Sequence, residues 1–196
     1  IRDVVPDIEP YVIFSDERIE AKHINLMYNI ADVTINLSSN EGFGLGTCES
    51  MMTGTPIIVN VTGGLQDQCG FVNDNGEYLD PEKDFTYEWG SNHDGRFRKH
   101  GEWVFPVFPV SRSLQGSPLT PYIFDDRCSW EEAGQKMLEV YNLDRTERKR
   151  RGEAGRQYAL GAGQFTADRM CELFIEHMEN AWNNWKPRER FVLVKG

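Results

Sequence analysis

The sequence predicts an α/β fold: a parallel sheet with helices on both faces, followed by a helical C-terminal end. Short apolar runs rich in β-branched residues alternate with segments of helical periodicity over residues 11–61. Glycine-rich loops follow two of these runs, at 38–44 and 62–64. The last third carries three helical segments and few turn signals. Such alternation is typical of a Rossmann-like sheet.

The first third provides the sheet. A helix is expected over 18–31, because Ile24, Tyr28 and Ala31 fall on one face. A second helix is expected over 46–53, since Gly54 and Pro56 would stop it. The predicted strands flank these helices, at 11–14, where Ser15-Asp16 follows as a turn or cap, at 33–37 and at 56–60.

The rest of the chain divides into an irregular middle and a helical end. Residues 70–127 contain many prolines, glycines and aromatic residues, with one strand expected at 102–105. We interpret 70–127 as an insertion that packs on a single domain of residues 1–196. Helices are expected at 129–141, 145–160 and from Thr166 onward, and the tail 187–196 is expected to be extended. A stripe including Trp182 and Trp185 on the last helix indicates core or an interface.

Composition excludes several classes of protein. A net charge of −10 over 196 residues argues against nucleic-acid binding, which relies on a basic face. No apolar run approaches the roughly 20 residues of a membrane span. The start lacks the layout of a signal peptide and a starting methionine, which is consistent with a chain that begins inside a longer protein. Four scattered cysteines without a C-x-x-C pair favour reduced thiols and a cytoplasmic location.

The chemistry is concentrated in residues 36–64. An apolar strand ends at Leu37, a glycine-rich loop follows, and a helix then begins. Open α/β sheets bind ligands at this edge, and a helix start offers free N–H groups to an anion. Glu41 precedes the helix and Glu49 lies about one turn into it. Two carboxylates so placed can accept hydrogen bonds from hydroxyl groups on either side of a phosphate, as a nucleotide sugar requires.

The spacing of the two glutamates carries little information. A pair of glutamates eight positions apart occurs four times: 9 and 17, 41 and 49, 131 and 139, and 139 and 147. The pair at 41 and 49 differs in its surroundings, E-G-F-G-L after a buried strand and G-T-P-I-I-V before a Gly-Gly loop.

This whole string resembles the donor-binding region of retaining glycosyltransferases with the GT-B fold, family four or "glycosyl transferases group 1". The resemblance is clear over residues 10–68 and weaker around Gly101–Pro106 and the later helices. It implies that Glu41 is the catalytic carboxylate, which holds the donor hexose, and that Glu49 binds the ribose. Further donor contacts are implied for Ser15, Gly42, Phe43, Gly44, Leu45, Thr62, Gly63 and Gly64.

The resemblance also implies what else the reaction needs. The partners are a nucleotide-sugar donor, an unknown acceptor and an N-terminal GT-B domain that this sequence lacks. A first β-α-β unit with the family's basic phosphate ligands is also missing, so the chain alone is expected to be inactive. No metal and no further cofactor are expected. Departures from the family pattern are Cys48, Ser50 and the run Leu65-Gln66-Asp67-Gln68.

We therefore interpret the chain as the donor-binding part of a retaining hexosyltransferase. The alternatives are a non-catalytic nucleotide-sugar-binding module, or an epimerase or phosphorylase on the same fold. An NAD dehydrogenase is disfavoured because Gly42, Gly44 and Gly46 do not match G-x-G-x-x-G. Cys48 is expected to be a core thiol rather than a nucleophile. His93 and His100 are expected in a solvated loop, with phosphate or acceptor contact as the alternative.

Overall fold

A computed structural model describes residues 11–15, 17–86 and 90–188. Its central sheet is parallel, with strand order β1 (Thr34–Asn36), β2 (Ile57–Asn60) and β3 (Val104–Val107). Ile35 pairs with Ile58, and Ile58 with Phe105. The parallel register brings the carboxyl ends of all three strands to one edge, where the glycine-rich loops begin.

Helices cover both faces of this sheet, as the sequence predicts. The helices of the first half are α1 (Ala21–Ile30), α2 (Leu45–Met52) and the short α3 (Pro81–Asp84); those of the second half are α4 (Trp130–Asn142), α5 (Arg145–Leu160) and α6 (Ala167–Asn184). Ile57 and Val59 pack in the cluster that contains Met51 of α2 and Ala159 of α5. Ile58 faces the other way, towards Ala133 and Val140 of α4. Because successive residues of β2 point to opposite faces, one four-residue strand serves both cores.

Helix starts agree with the capping signals. Ser129, Asp144 and Thr166 each accept a hydrogen bond from the backbone N–H three residues later, at 3.2, 2.8 and 3.2 Å. These side chains satisfy N–H groups that have no partner within the helix, which fixes the first turn. The local sequence is therefore sufficient to place the starts of α4, α5 and α6.

The expected strand at 11–14 is wrong. Residues 11–14 form no strand, and the Ile13 side chain is 95% exposed. A β-rich run needs a neighbouring strand to supply its hydrogen bonds, and none of the described residues pairs with this one. Asp16 of the predicted turn, Tyr87 and Trp89 of the aromatic segment, and residues 189–196 of the predicted tail lie outside the described residues.

The middle of the chain packs, as expected, but it contains a hairpin that the sequence analysis missed. Strands β4 (Pro109–Leu114) and β5 (Phe124–Cys128) pair antiparallel. The expected strand at 102–105 begins two residues later, at Val104. Aromatic residues hold the segment to the domain, with Phe71, Phe97, Trp103, Phe105 and Phe108 buried. That 70–127 is an insertion stays a prediction.

The last helix lies on the surface. No residue of α6 is buried, and Trp182 is 85% exposed. The tryptophan stripe is therefore not core within the described part of the chain, and an interface role stays a prediction. No helix in this part of the chain combines the length and apolar character of a membrane span.

Helix α5 packs so closely on the turn that follows α2 that only glycine fits at one contact. A Cβ atom on Gly152 would collide with the carbonyl oxygen of Gly54, whereas a Cβ on Gly134 of α4 would meet nothing within 4 Å. We predict that Gly152→Ala lowers the free energy of unfolding by about 1–3 kcal/mol. Gly134→Ala should raise it by about 0.5–1 kcal/mol, because alanine is the better helix former.

Urea unfolding of both variants, followed by circular dichroism, measures the difference. Similar shifts of the midpoint in the same direction for the two variants would contradict the close packing of α2 on α5.

Candidate functional site

The loop after β1 is fixed by a second turn that follows β2. The Gly64 N–H donates to the carbonyl oxygen of Glu41 at 3.1 Å. A Cβ on Gly63 would collide with that same oxygen, and a Cβ on Gly64 would lie 2.6 Å from Phe43 Cα. The two backbones therefore touch directly, and glycine is required at both positions. The structure thus brings the predicted Thr62–Gly64 turn against the predicted Glu41–Phe43 loop.

Helix α2 begins after a position that requires glycine. Gly44 precedes it with φ +86°, in the left-handed region that favours glycine, and a Cβ there would collide with the Leu65 side chain. No described side chain caps the amino end of α2. Its first N–H groups remain available to an acceptor, with the partial positive charge of the helix behind them.

The Gln68 side chain holds the glycine loop at 42–44 through hydrogen bonds to its backbone. Its Nε2 donates to the carbonyl oxygens of Phe43 at 2.6 Å and of Gly44 at 3.0 Å. The side chain is fully buried. The sequence analysis noted the run that ends at Gln68 as a departure from the family, but it assigned the residue no role. A polar residue placed shortly after a Gly-Gly turn was the available signal.

The two glutamates differ in environment. Glu41 is half-buried at the end of the loop, whereas Glu49 is exposed on α2. Burial raises the pKa of Tyr28, and the charge of Glu49 and a hydrogen bond to Glu49 add to that rise. The two residues share a groove of about 400 Å³ between α1 and α2. The sequence analysis placed Tyr28 on one face of the first helix with Ile24 and Ala31 but missed its contact with Glu49.

The remaining predicted site residues make contacts that do not by themselves indicate a donor site. Leu45 is exposed at the first turn of α2, and the Phe43 ring meets Phe165 edge-on at 5.3 Å. Ser15 makes a local hydrogen bond to the carbonyl oxygen of Glu17 at 3.4 Å. That contact does not join Ser15 to the loop, so its donor role stays a prediction.

The β4–β5 hairpin supports the loops that follow β1 and β2. The sequence analysis missed this support. The Asp126 N–H donates to the Ser39 carbonyl oxygen at 2.8 Å, and Thr62 Oγ1 donates to the buried Asp126 carboxylate at 2.9 Å. Asn60 Nδ2 donates to the carbonyl oxygens of Ser38 at 2.9 Å and of Asp126 at 2.7 Å. These bonds join the loop after β1 to the end of β2 and to β5. Contacts between residues more than 60 positions apart leave no local pattern.

Among the described residues, the histidine and cysteine side chains do not form a metal site or a nucleophilic site. His93 pairs with Asp94 at 2.7 Å, and Arg112 Nη1 lies 3.1 Å from its Nε2. No group of three or more histidine, cysteine or acidic side chains converges on a metal position in the described ranges. Cys48 is buried, and burial, aided by the charge of Glu49, raises its pKa to about 11. A core thiol is therefore the correct interpretation of Cys48.

Residues 11–85 match the family described as "Glycosyl transferases group 1". These residues are therefore similar to the group 1 glycosyltransferases. The match includes the loop at 41–44, the start of α2 and the supporting turn at 62–64. The α/β architecture agrees with a Rossmann-like half of the GT-B fold.

Distant relatives agree with this family assignment. An uncharacterized glycosyltransferase of Methanocaldococcus jannaschii is 26% identical over 117 residues, which cover 60% of this chain and 27% of the relative. The trehalose synthases of Thermococcus litoralis and Pyrococcus furiosus are each 30% identical over 112 residues, covering 51% of this chain and 27% of each relative. The chain thus spans about a quarter of the length of the curated relatives it matches.

The raised pKa of the Cys48 thiol gives a test of the packing around α2. At pH 8, three units below a pKa of about 11, only about one Cys48 thiol in a thousand is ionised, and the thiolate is the reactive form. We predict that iodoacetamide modifies the exposed Cys171 while Cys48 stays unmodified. Mass spectrometry of peptides after timed alkylation at pH 8 and pH 9 measures both rates. Equal rates at pH 8 would contradict the burial of Cys48.

Proposed function

We propose that this chain is the part of a group 1 glycosyltransferase that binds the donor of a retaining hexosyl transfer. The donor is a nucleotide diphosphate sugar, and the acceptor is a hydroxyl group. One observation carries the proposal: the Thr62–Gly64 turn holds the Glu41–Phe43 loop at the carboxyl edge of the sheet, next to an uncapped helix start. Ligands of open α/β sheets bind at that edge.

Each part of the donor has a matching group. The diphosphate faces the amino end of α2 and the backbone of Gly42, Phe43, Gly44 and Leu45, where N–H groups and the helix dipole favour an anion. Glu49 accepts hydrogen bonds from the ribose hydroxyls, and Tyr28 orients it. Ser15 contacts the base through main-chain groups.

Glu41 is the residue that acts on the reacting sugar. Half-buried at the loop end, its carboxylate accepts hydrogen bonds from hexose hydroxyls and stabilises positive charge that develops at the anomeric carbon. Thr62, Gly63 and Gly64 act by holding Glu41 in place. This chemistry needs no metal and no bound cofactor.

The proposal so far concerns the donor side of the reaction. An N-terminal GT-B domain would complete the cleft and bring the basic groups that neutralise the diphosphate. The intact enzyme would act in the cytoplasm. A non-catalytic nucleotide-sugar-binding module is the alternative, and activity measurements on the intact enzyme distinguish the two.

Glu49 provides the binding test. We predict that Glu49→Ala weakens nucleotide diphosphate binding about 10–100-fold, since a hydrogen bond to a charged group contributes roughly 1.5–3 kcal/mol. Isothermal titration calorimetry with UDP, GDP and ADP measures the affinity. Glu176→Ala, which removes an exposed glutamate from α6, is the matched control. Equal affinities for the wild-type chain and Glu49→Ala would refute the assignment.

Glu41 provides the catalytic test. We predict that Glu41→Gln in the intact enzyme lowers kcat by on the order of 100-fold, because the amide keeps the shape but loses the charge that stabilises the transition state. Nucleotide affinity should change far less. Turnover with each candidate donor, compared with the Glu176→Gln control, separates the two effects. Unchanged turnover would remove Glu41 from the mechanism and favour a binding module.

A further inference from the structure

A second cavity lies beside the candidate donor site. We call it the aromatic cavity; its volume is about 310 Å³, and it opens to solvent. Its size falls at the lower end of the range for small-molecule sites. Five of its ten lining residues carry aromatic rings, and two others, Gln66 and Asp67, follow shortly after the Thr62–Gly64 turn. The rings are those of Phe71, Tyr78, Phe85, Tyr158 and Phe165.

Tyr158 of α5 gives the aromatic cavity a fixed framework. Its ring stacks on Trp103 with centroids 4.6 Å apart, and its hydroxyl donates to the Asp67 carbonyl oxygen at 2.9 Å. Tyr78 and Phe165 pack against it at 5.1 and 5.8 Å. A ligand would therefore meet rings already held by one another and would cost little reorganisation.

The aromatic cavity is close to the proposed position of the donor sugar. Phe165 lines the cavity and also contacts Phe43 of the glycine loop, at 5.3 Å between ring centroids. Gln66 and Asp67, which also line the cavity, are separated from Gly64 by only one or two residues. A molecule in the cavity would thus lie a single side chain away from the loop that carries Glu41.

Asp67 determines which kind of ligand the aromatic cavity can bind. Solvent reaches this residue through the opening, yet the atoms crowded round its carboxyl group raise its pKa. No arginine or lysine in the described part of the chain forms an ion pair with it. Gln66 Oε1 already accepts from the Asn92 N–H at 2.7 Å. The carboxylate is therefore the acceptor that a ligand meets.

Two kinds of ligand could use a carboxylate among aromatic rings. A sugar presents hydroxyl donors at its rim and an apolar C–H face, while an organic cation needs the negative faces of several rings. Trp103 covers one face of Tyr158, and Phe165 meets Tyr158 at 80°. The Tyr158 face that Trp103 covers is not available to a ligand, which leaves fewer free ring faces for a cation. A sugar needs only one ring face together with an acceptor for its hydroxyl groups, so the arrangement favours the sugar.

We propose that the aromatic cavity binds a pyranose ring of the acceptor carbohydrate. Hydroxyl groups of the sugar donate to the Asp67 carboxylate, and its C–H face packs on Tyr78 and Phe165. This inference rests on the proposed function, since the cavity would bind the acceptor of the same transfer reaction.

Saturation-transfer NMR on the 196-residue chain tests the inference. The probes are the methyl pyranosides of glucose, mannose, galactose and N-acetylglucosamine, at millimolar concentration. We expect at least one of them to receive saturation at its ring C–H protons. Ala162→Leu, which places a larger side chain from the exposed rim into the cavity, should weaken that binding by about 10-fold or more. Ala167→Leu, exposed at the start of α6, should leave it unchanged.

Asp67→Asn tests the polar contact. The neutral amide should weaken pyranoside binding by about 10-fold, because charge-assisted hydrogen bonds are the stronger ones. Its matched control is Asp74→Asn, exposed in the same segment. The raised pKa means that folding disfavours the ionised form of Asp67, so the amide should leave thermal stability equal or higher.

The outcomes separate this inference from the donor assignment. Absence of saturation for every pyranoside, saturation unchanged in both Ala162→Leu and Asp67→Asn, or tetramethylammonium bound in place of the sugars would each overturn the acceptor site. Affinities for UDP, GDP and ADP are measured on the same samples. Nucleotide binding without pyranoside binding removes only the acceptor site, whereas pyranoside binding without nucleotide binding removes the donor role.

Discussion

The direct contact between two backbone turns determines the rest of the site. The turn after β2 touches the loop after β1 through Gly63 and Gly64, with no side chain between them. Any Cβ at these positions would push the Glu41 carbonyl away and would move the residue proposed to act on the sugar. Precise placement of a catalytic carboxylate depends on such support, because small displacements cost large factors in rate. The contact thus links a structural requirement for glycine to a chemical requirement for Glu41.

The parallel sheet makes this contact possible. Strands β1 and β2 run in the same direction, so both loops leave from the same edge. Asn60 and Asp126 then satisfy the polar groups beneath the loops, and Asp126 comes from the hairpin far along the chain. These hydrogen bonds hold the two loops together, while the buried Oδ1 atom of Asn60 has no hydrogen-bond partner among the described residues. The hairpin is therefore part of the support of the site, although it lies outside the matched residues 11–85.

Tyr158 connects the helical end of the chain to the same region. It stacks on Trp103, bonds to the Asp67 backbone and borders the aromatic cavity. Helix α5, through Gly152, also packs closely on Gly54, in the turn that ends α2, and α2 carries Glu49. One helix thus contacts both the end of the helix proposed to bind the donor and the proposed acceptor cavity. Since packed interiors transmit strain, substitutions in α5 are expected to disturb both α2 and the aromatic cavity.

The sequence alone determined the local features of this protein. The strand–loop–helix unit around Glu41, the starts of α4 to α6 and the Gly63-Gly64 turn were all predictable, because capping, helical periodicity and glycine conformation act over a few residues. Tertiary structure decided what depends on partners distant in sequence. The run at 11–14 forms no strand, Gln68 supports the loop, Asp126 closes the edge, and five rings from separate segments surround a cavity. The physical reason is that hydrogen bonds and packing between remote segments exist only once the fold brings them together.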